Sequence, residues 1–249
     1  MPVRLLNGAD VPQAAGLSTA AGWNQTEEDW RMMLDLAPDS CFALDCGGML
    51  AATATLTRCA GRPAWIGMVL TSPAWRRRGL ARQLMEHTLA WADARSIATV
   101  KLDATDQGQP LYRGLGFVPE QPVERWRGQG TGRPGTSVSP ADRAALKQFL
   151  TCGHPPADVL LWRDGRLASY LGPCRARTPE RAREQITTLL ARSAGPWFWD
   201  LLPGNADAVQ LARDLGFRPE RRLLRMRRGP AGEDGDLSST YAIAGFEFG

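Results

Sequence analysis

VLTSPAWRRRGLARQL, Val69–Leu84, is the stretch that decides the fold. A short apolar run ends at Thr71, as a strand would, and Ser72-Pro73 breaks it. From Gly79 onward Leu80, Leu84, Met85, Thr88, Leu89 and Ala92 recur at spacings of three and four, the period of a helix with one buried face. Between strand and helix stand Arg76, Arg77 and Arg78. Arg76, Gly79 and Ala81 fit the spacing [QR]-x-x-G-x-[GA]. The first amides of a helix have no internal acceptor. Small residues there let an anion approach the backbone, the helix dipole attracts it, and guanidiniums alongside strengthen the field. The segment reads as strand, anion-binding turn and helix. A pattern this short also arises by chance in an Arg-rich turn, so its surroundings have to decide.

Upstream, CFALD and MLAATATLTR read as two strands joined by a turn at Asp45–Gly48, and AWIGMVLT as a third. Nearer the start, Thr26 followed by Glu27, Glu28 and Asp29 marks a helix start: a hydroxyl cap, then acids in the first turn. Downstream, a helix spans roughly residues 79–95. The strand TVKLDA follows, then a short helix near Gln109 to Gly114, and GFVPE opens another strand.

This order returns. LGFVPE (Leu115–Glu120) is nearly repeated by LGFRPE (Leu215–Glu220), one hundred positions later. The Gly-rich RGQGTGRPGTS, Arg127–Ser137, reads as a linker. After it come a helix from about Pro140 and the strand ADVLLW. RDGR predicts a tight Asp-Gly hairpin turn, with LASYLG as the returning strand. Thr178 caps the next helix, with Pro179 in its first turn. PWFWDLL is a strand, and Asn205 caps the helix that ends before the second LGF. The second copy lacks a separate equivalent of AWIGMVLT. Strands alternating with helices imply an α/β (α+β) fold. We expect two tandem domains, 1–126 and 138–249, with a linker at 127–137. Each is a mixed, mostly antiparallel sheet flanked by helices, whose two sheets could pair within one chain. The apolar tail TYAIAGFEFG is expected to pack back onto the body.

With 249 residues, 43% hydrophobic and 22% charged, the chain can bury an ordinary core. It has no apolar run of the roughly eighteen residues a membrane span needs. MPVRLLNGAD has no apolar signal region, so a cytoplasmic protein is expected. Cys41, Cys46, Cys59, Cys152 and Cys174 are scattered, contain no CxxC pair, and read as reduced structural thiols. No metal is expected. The net charge is +4, and of 30 basic residues only Lys101 and Lys147 are lysines. A basic balance favours anionic small molecules, nucleotide-bearing cofactors among them. The densest basic run, Arg221–Arg228, reads as a solvated strand edge with inward Leu and Met. A nucleic-acid face is the competing reading, but no known motif supports it.

Strand, anion pattern, helix, VKLDA and then LYRGLGF follow the order of the GNAT superfamily of N-acetyltransferases, which the chain resembles over roughly residues 3–120 and most specifically over 65–117. The second half, through GPCRARTPE, DLLPGNADAVQLARDLGF and AGFEFG, is similar to the smaller GNAT-like domain of some bacterial tandem acetyltransferases. The resemblance implies acyl transfer, with acetyl-CoA as the default donor. The strand around Gly67–Leu70 should splay from TVKLDA, and pantetheine should lie against Met68, Val69 and Leu70. The pyrophosphate should sit on Arg76, Arg77, Arg78, Gly79, Leu80 and Ala81, and Ala104 and Thr105 should border the pantetheine arm. Tyr112 matches the tyrosine that many members place beside the thioester sulfur.

Such chemistry needs a neutral amine, a backbone N–H for the oxyanion and an acid for the departing thiolate. Tyr112 is the candidate acid. Asp103 is the leading candidate base, with Glu27, Glu28, Asp29 and the tail's Glu247 or terminal carboxylate as alternatives. Trp23, Asn24 and Glu28 are candidate acceptor contacts, and Trp30 reads as core. His87 and His154 have no partner pattern. In the second copy Ala212 replaces the tyrosine and Pro179 removes an amide from the helix entrance, so one active site is expected, in the first copy. The expected activity is N-acyl transfer to a small-molecule amine or an amino terminus, by a monomer or homodimer. A non-catalytic acyl-CoA sensor is the alternative.

Overall fold

The structure, a computed structural model, describes residues 1–58, 62–132, 140–152, 156–232 and 236–249. Cys59, His154 and part of the expected linker lie outside the described residues.

The chain opens with β1 (Arg4–Leu5), α1 (Val11–Ala20) and α2 (Glu27–Leu36). Thr26 caps α2 as expected: its side chain accepts from the Asp29 amide, and the Asp29 carboxylate accepts from the Thr26 amide at 2.8 Å. The strands β2 (Cys41–Cys46), β3 (Met49–Thr57) and β4 (Ala64–Thr71) follow. Helix α3 (Leu80–Asp93) buries the six residues its period selected. Then come β5 (Val100–Ala104), α4 (Gln109–Arg113) and β6 (Val118–Gln129). The second half consists of α5 (Pro140–Thr151), β7 (Val159–Arg163), β8 (Ser169–Arg175), α6 (Pro179–Leu190), β9 (Pro196–Leu201), α7 (Ala206–Asp214), β10 (Arg218–Arg228) and β11 (Thr240–Ala242). Thr178 and Asn205 both cap their helices.

Among the described residues all eleven strands form one sheet, in the order β1-β2-β3-β4-β5-β10-β6-β9-β8-β11, with β7 on β8. Most neighbours are antiparallel; β4 with β5 and β8 with β9 are parallel. The two copies exchange the strand that follows LGF. β6 leaves the first half to pair with β9, and β10 leaves the second half to pair with β5. β6 and β10 also pair with each other, Val123 opposite Leu223, with Gln121↔Arg225 and Arg125↔Arg221 placed symmetrically about that pair. Val123 and Leu223 are the same position of the two copies, so a local two-fold relates the halves there. The halves thus share one sheet rather than two adjoining ones. Residues 127–129, expected as linker, continue β6.

Two further expectations are corrected. The Arg221–Arg228 run is no sheet edge, because β10 lies between β5 and β6. Several of its arginines are committed within the protein: Arg225 pairs with Asp103, Arg227 with Glu120 and Arg228 with Asp93. The RDGR turn is also not a two-residue hairpin. β7 ends at Arg163 and β8 begins at Ser169, and the intervening loop clasps Asn24.

Helices cover both faces of the first half. Residues of α1, α2 and α5 share a core with Met68 and Leu70 of β4. Leu80 and Leu84 of α3 pack with Phe42, Leu44 and Ala52, whose side chains point to the other face.

Candidate active site

β4 and β5 pair only at Ala64↔Val100 and Trp65↔Lys101. Beyond these residues the strands part. The splay begins where β4 bulges: Thr55 faces Gly67 and Thr53 faces Leu70, so Met68 and Val69 together oppose one residue of β3. Met68 adopts φ 49°, and the Thr53 hydroxyl donates to its carbonyl at 2.8 Å. β4 then leads through Ser72 and Pro73 to the arginine turn. Arg77 and Gly79 have φ of 61° and 80°, which bends the turn into the start of α3. The first α-helical bond is from the Gln83 N–H to the Gly79 carbonyl at 3.0 Å, so the amides just before Gln83 have no intrahelical acceptor. Arg76, Arg77 and Arg78 are exposed around them. A Cβ on Gly79 would meet nothing within 4 Å, so space over the backbone is open. The splayed notch and the open turn lie at the residues the sequence selected, Met68 to Leu70 and Arg76 to Ala81. Leu80 is the exception in side chain: it is core, and only its backbone faces the turn.

A cleft runs into the notch. Ile66, Leu102 and Tyr112, which share the core on the α3 side, border it, as do Met68 and Trp23 from the core on the α1–α2 side. Val69 and Thr105 line it as well. Tyr112 is buried and packs edge-on against Phe117, ring centroids 6.0 Å apart. Its hydroxyl hydrogen-bonds to no described residue, and burial pushes its pKa up to about 12. The phenol therefore keeps its proton at neutral pH.

Glu247 lines the same cleft. The tail crosses β4 so closely that a Cβ on Gly67 would stand 2.6 Å from the Glu247 carbonyl oxygen. The Trp65 indole donates to the Phe246 carbonyl at 3.0 Å and helps hold the tail there. The Glu247 carboxylate is buried and bonded through one oxygen to Arg163; the other oxygen is buried without a partner among the described residues. Burial and Asp29 push its pKa up against the pull of Arg163. Arg163, on β7, is itself fully buried; it also donates to Asp29 at 3.0 Å and to the Ala244 carbonyl at 2.7 Å. One guanidinium from the second half thus joins α2 of the first to the tail.

The remaining candidates are placed differently. Asp103 lines the cleft, but its side chain is buried and both oxygens accept from Arg225, at 2.9 and 3.1 Å. Burial, Asp200 and Glu120 push its pKa up while Arg225 pulls it down. The other half holds its counterpart: Arg125 grips Asp200 at 2.7 and 2.6 Å. Asn24 is buried and fully engaged, donating to the Ala168 carbonyl at 2.8 Å and accepting from the Leu167 and Ala168 amides. It bolts the α1–α2 loop to the β7–β8 loop. Glu28 is exposed and pairs with Arg31, as does Glu27. Asp29 is consumed by its cap and by Arg163, and Trp30 is core, donating to Ser18. Gln25, Arg125, Arg221, Leu223 and Phe246 line the cleft without having been singled out. All but Gln25 arrive through the strand exchange or the tail, for which no local pattern exists.

The second copy's equivalent opening is filled. β8 and β9 pair in parallel from Ser169↔Trp197 to Leu171↔Trp199. Past that point β11 pairs with β8, the Ile243 amide donates to the Asp200 carbonyl of β9 at 2.9 Å, and the Trp199 indole donates to the Tyr241 carbonyl at 2.7 Å. The tail lies where the first copy has its notch. Among the described residues no group of His, Cys, Asp or Glu could hold a metal, and no helix is long and apolar enough to cross a membrane.

A bulged strand that splays from its parallel neighbour, followed by a helix whose N-terminus faces the opening, defines the N-acetyltransferase fold. Residues 14–117 match the family model described as Acetyltransferase (GNAT) family. A "Putative Acetyltransferase" from Pyrococcus horikoshii has a similar structure, with TM-score 0.79 and 18% identity, over 100% of this chain and 95% of that one. A GCN5-related N-acetyltransferase from Sphaerobacter thermophilus is similar with TM-score 0.65 and 16% identity, over 96% and 98% of the two chains. The fold likeness therefore extends over both halves. No functionally curated protein matches the chain.

Proposed function

We propose that the protein is an acyl-CoA-dependent N-acyltransferase that uses acetyl-CoA and acylates a small primary amine. The observation that carries this reading is a single cleft bordered by the β4 bulge, a protonated Tyr112 and a half-paired Glu247. Met68, Val69 and Leu70 hold the pantetheine arm against the bulged strand, beside Thr105. The amides from Arg77 to Ala81, with Arg76 and Arg78 around them, hold the pyrophosphate. The bound donor supplies the thioester.

Glu247 takes the proton from the incoming ammonium through its free oxygen; a carboxylate with a raised pKa is the better base. A backbone N–H of the bulge faces the oxyanion. The Tyr112 hydroxyl gives its proton to the departing thiolate. Asp103 takes a structural part, since a base at that position would have to break two hydrogen bonds to Arg225. The second copy, its own opening closed by the tail, serves as the wall of the one active site.

The test is release of free CoA thiol from acetyl-CoA with a panel of small amines. Acyl-CoA binding with no turnover on any amine would overturn the reading in favour of a non-catalytic binding protein. Gly79→Glu places bulk and negative charge on the pyrophosphate turn; unchanged acyl-CoA binding by that variant would sink the assignment of the turn.

A further inference from the structure

Resting on the transferase reading above, we infer that the acceptor is a small amine that also carries a carboxylate, an amino acid in the broad sense, with Arg221 holding the carboxylate and Glu247 and Gln25 receiving the amine. Residues that line the cleft carry polar groups of opposite kinds that no described residue satisfies. On one side are two acceptors. Glu247 Oε2 and Gln25 Oε1 are buried and have no hydrogen-bond partner among the described residues. Gln25 is fixed from its other end, where its amide nitrogen donates to the Tyr170 hydroxyl at 3.2 Å. Two unsatisfied acceptors on residues that line one cleft call for a donor with several N–H groups, and an ammonium has three.

On the other side is a donor without an acceptor. Arg221 lines the cleft, is half-buried, and forms neither an ion pair nor a hydrogen bond among the described residues. The acids that could have neutralised it are taken: Asp200 by Arg125 in a two-point pair, Glu220 by Arg127. Its partner across the strands is another cation, Arg125. A partly desolvated guanidinium beside a second one is costly, and that cost falls when an anion enters. A carboxylate fits the two-pronged fork.

The donor's own phosphates lie elsewhere. Their place is the turn before α3, whereas Arg221 alternates with Leu223 and Arg225 onto the face where Arg225 meets Asp103. That face carries the tail and the α1–α2 loop. The arrangement arises only because the halves exchange strands: Arg221 belongs to the second copy, Gln25 to the first, and Glu247 to the tail. At the position equivalent to Arg221 the first copy has Gln121.

The experiment uses the full chain with acetyl-CoA and follows thiol release. Free amino acids, including β- and γ-amino acids to span the separation of the two ends, are compared with their carboxamides and with the matching decarboxylated amines. We expect kcat/KM to favour the carboxylated member of a set by about tenfold to a hundredfold, the worth of a charged hydrogen-bonded contact. Arg221→Gln should collapse that ratio, chiefly through KM. Arg221→Lys, which keeps the charge but loses the fork, should fall between and stands in if the first variant folds poorly. Amides and decarboxylated amines acylated as fast as free carboxylates would overturn the inference and leave the transferase reading intact. No thiol release with any acceptor, from a protein that binds acetyl-CoA, would overturn both.

Discussion

The carbonyl oxygen of Glu247 lies where Gly67 has no side chain, 2.6 Å from the position its Cβ would take. The pair joins the bulge to the tail: Gly67 stands at the edge of the β4 bulge, and Glu247 brings the proposed base. Gly67→Ala should push the tail off β4. The neighbour is backbone, which cannot swing aside as a flexible side chain could. Overpacking of this kind costs about 1–3 kcal/mol, read as a lowered melting temperature, and kcat should drop with acyl-CoA affinity largely kept. A variant with wild-type kcat would mean that the tail does not position a catalytic group.

Glu247→Gln tests the base. Removing a general base costs about 10²–10⁴-fold in rate. Because burial and Asp29 raise the Glu247 pKa, the acid limb of kcat/KM should lie above the ordinary carboxylate range. Activity falls as pH drops through that raised value, since the protonated acid cannot accept a proton. The variant should lose this limb along with the rate. Full rate with an unchanged profile would remove Glu247 from the mechanism. Asp103→Asn serves as control, destabilising the protein through Arg225 while leaving the limb in place.

Tyr112→Phe isolates the acid. The ring packs against Phe117 and has no hydroxyl partner to lose, so the fold should tolerate the change. The expected outcome is a kcat about a hundredfold lower, within the usual range for a lost general acid, at normal acyl-CoA affinity. A Tyr112 pKa near 12 puts its own titration far above neutrality, so no alkaline limb near pH 8 should belong to it. Unchanged turnover would show that the thiolate leaves without its help.

What the sequence made legible follows how local each feature is. The strand, arginine turn and α3 depend on residues within about one helix length, and the buried face of α3 is the one its period picked. The caps at Thr26, Thr178 and Asn205 are equally local. The exchange of β6 and β10 is not, because pairing with the other copy leaves the same hydrophobic pattern as pairing at home. The error over Arg221–Arg228 follows from it: an arginine-rich strand reads as an edge unless the acids that neutralise it, Asp103, Glu120 and Asp93, are known to lie alongside. The part Asn24 plays in joining two loops was illegible for the same reason, since its partners lie more than one hundred and forty positions away.

Arg163 provides the last prediction. Its guanidinium is wholly buried and meets two carboxylates, Asp29 and Glu247, with the Tyr170 ring 3.8 Å from its central carbon. Arg163→Met removes the cation and leaves both acids buried beside each other. Breaking a buried pair in this way costs about 3–5 kcal/mol, which should show as a large fall in the denaturation midpoint. If the cost comes from stranded charge rather than lost packing, neutralising the acids should return part of it. The triple variant Arg163→Met, Asp29→Asn, Glu247→Gln should therefore be more stable than Arg163→Met alone, though inactive. A triple variant no more stable than the single one would assign Arg163 a packing role, and would remove the reason for it to hold Glu247 in place.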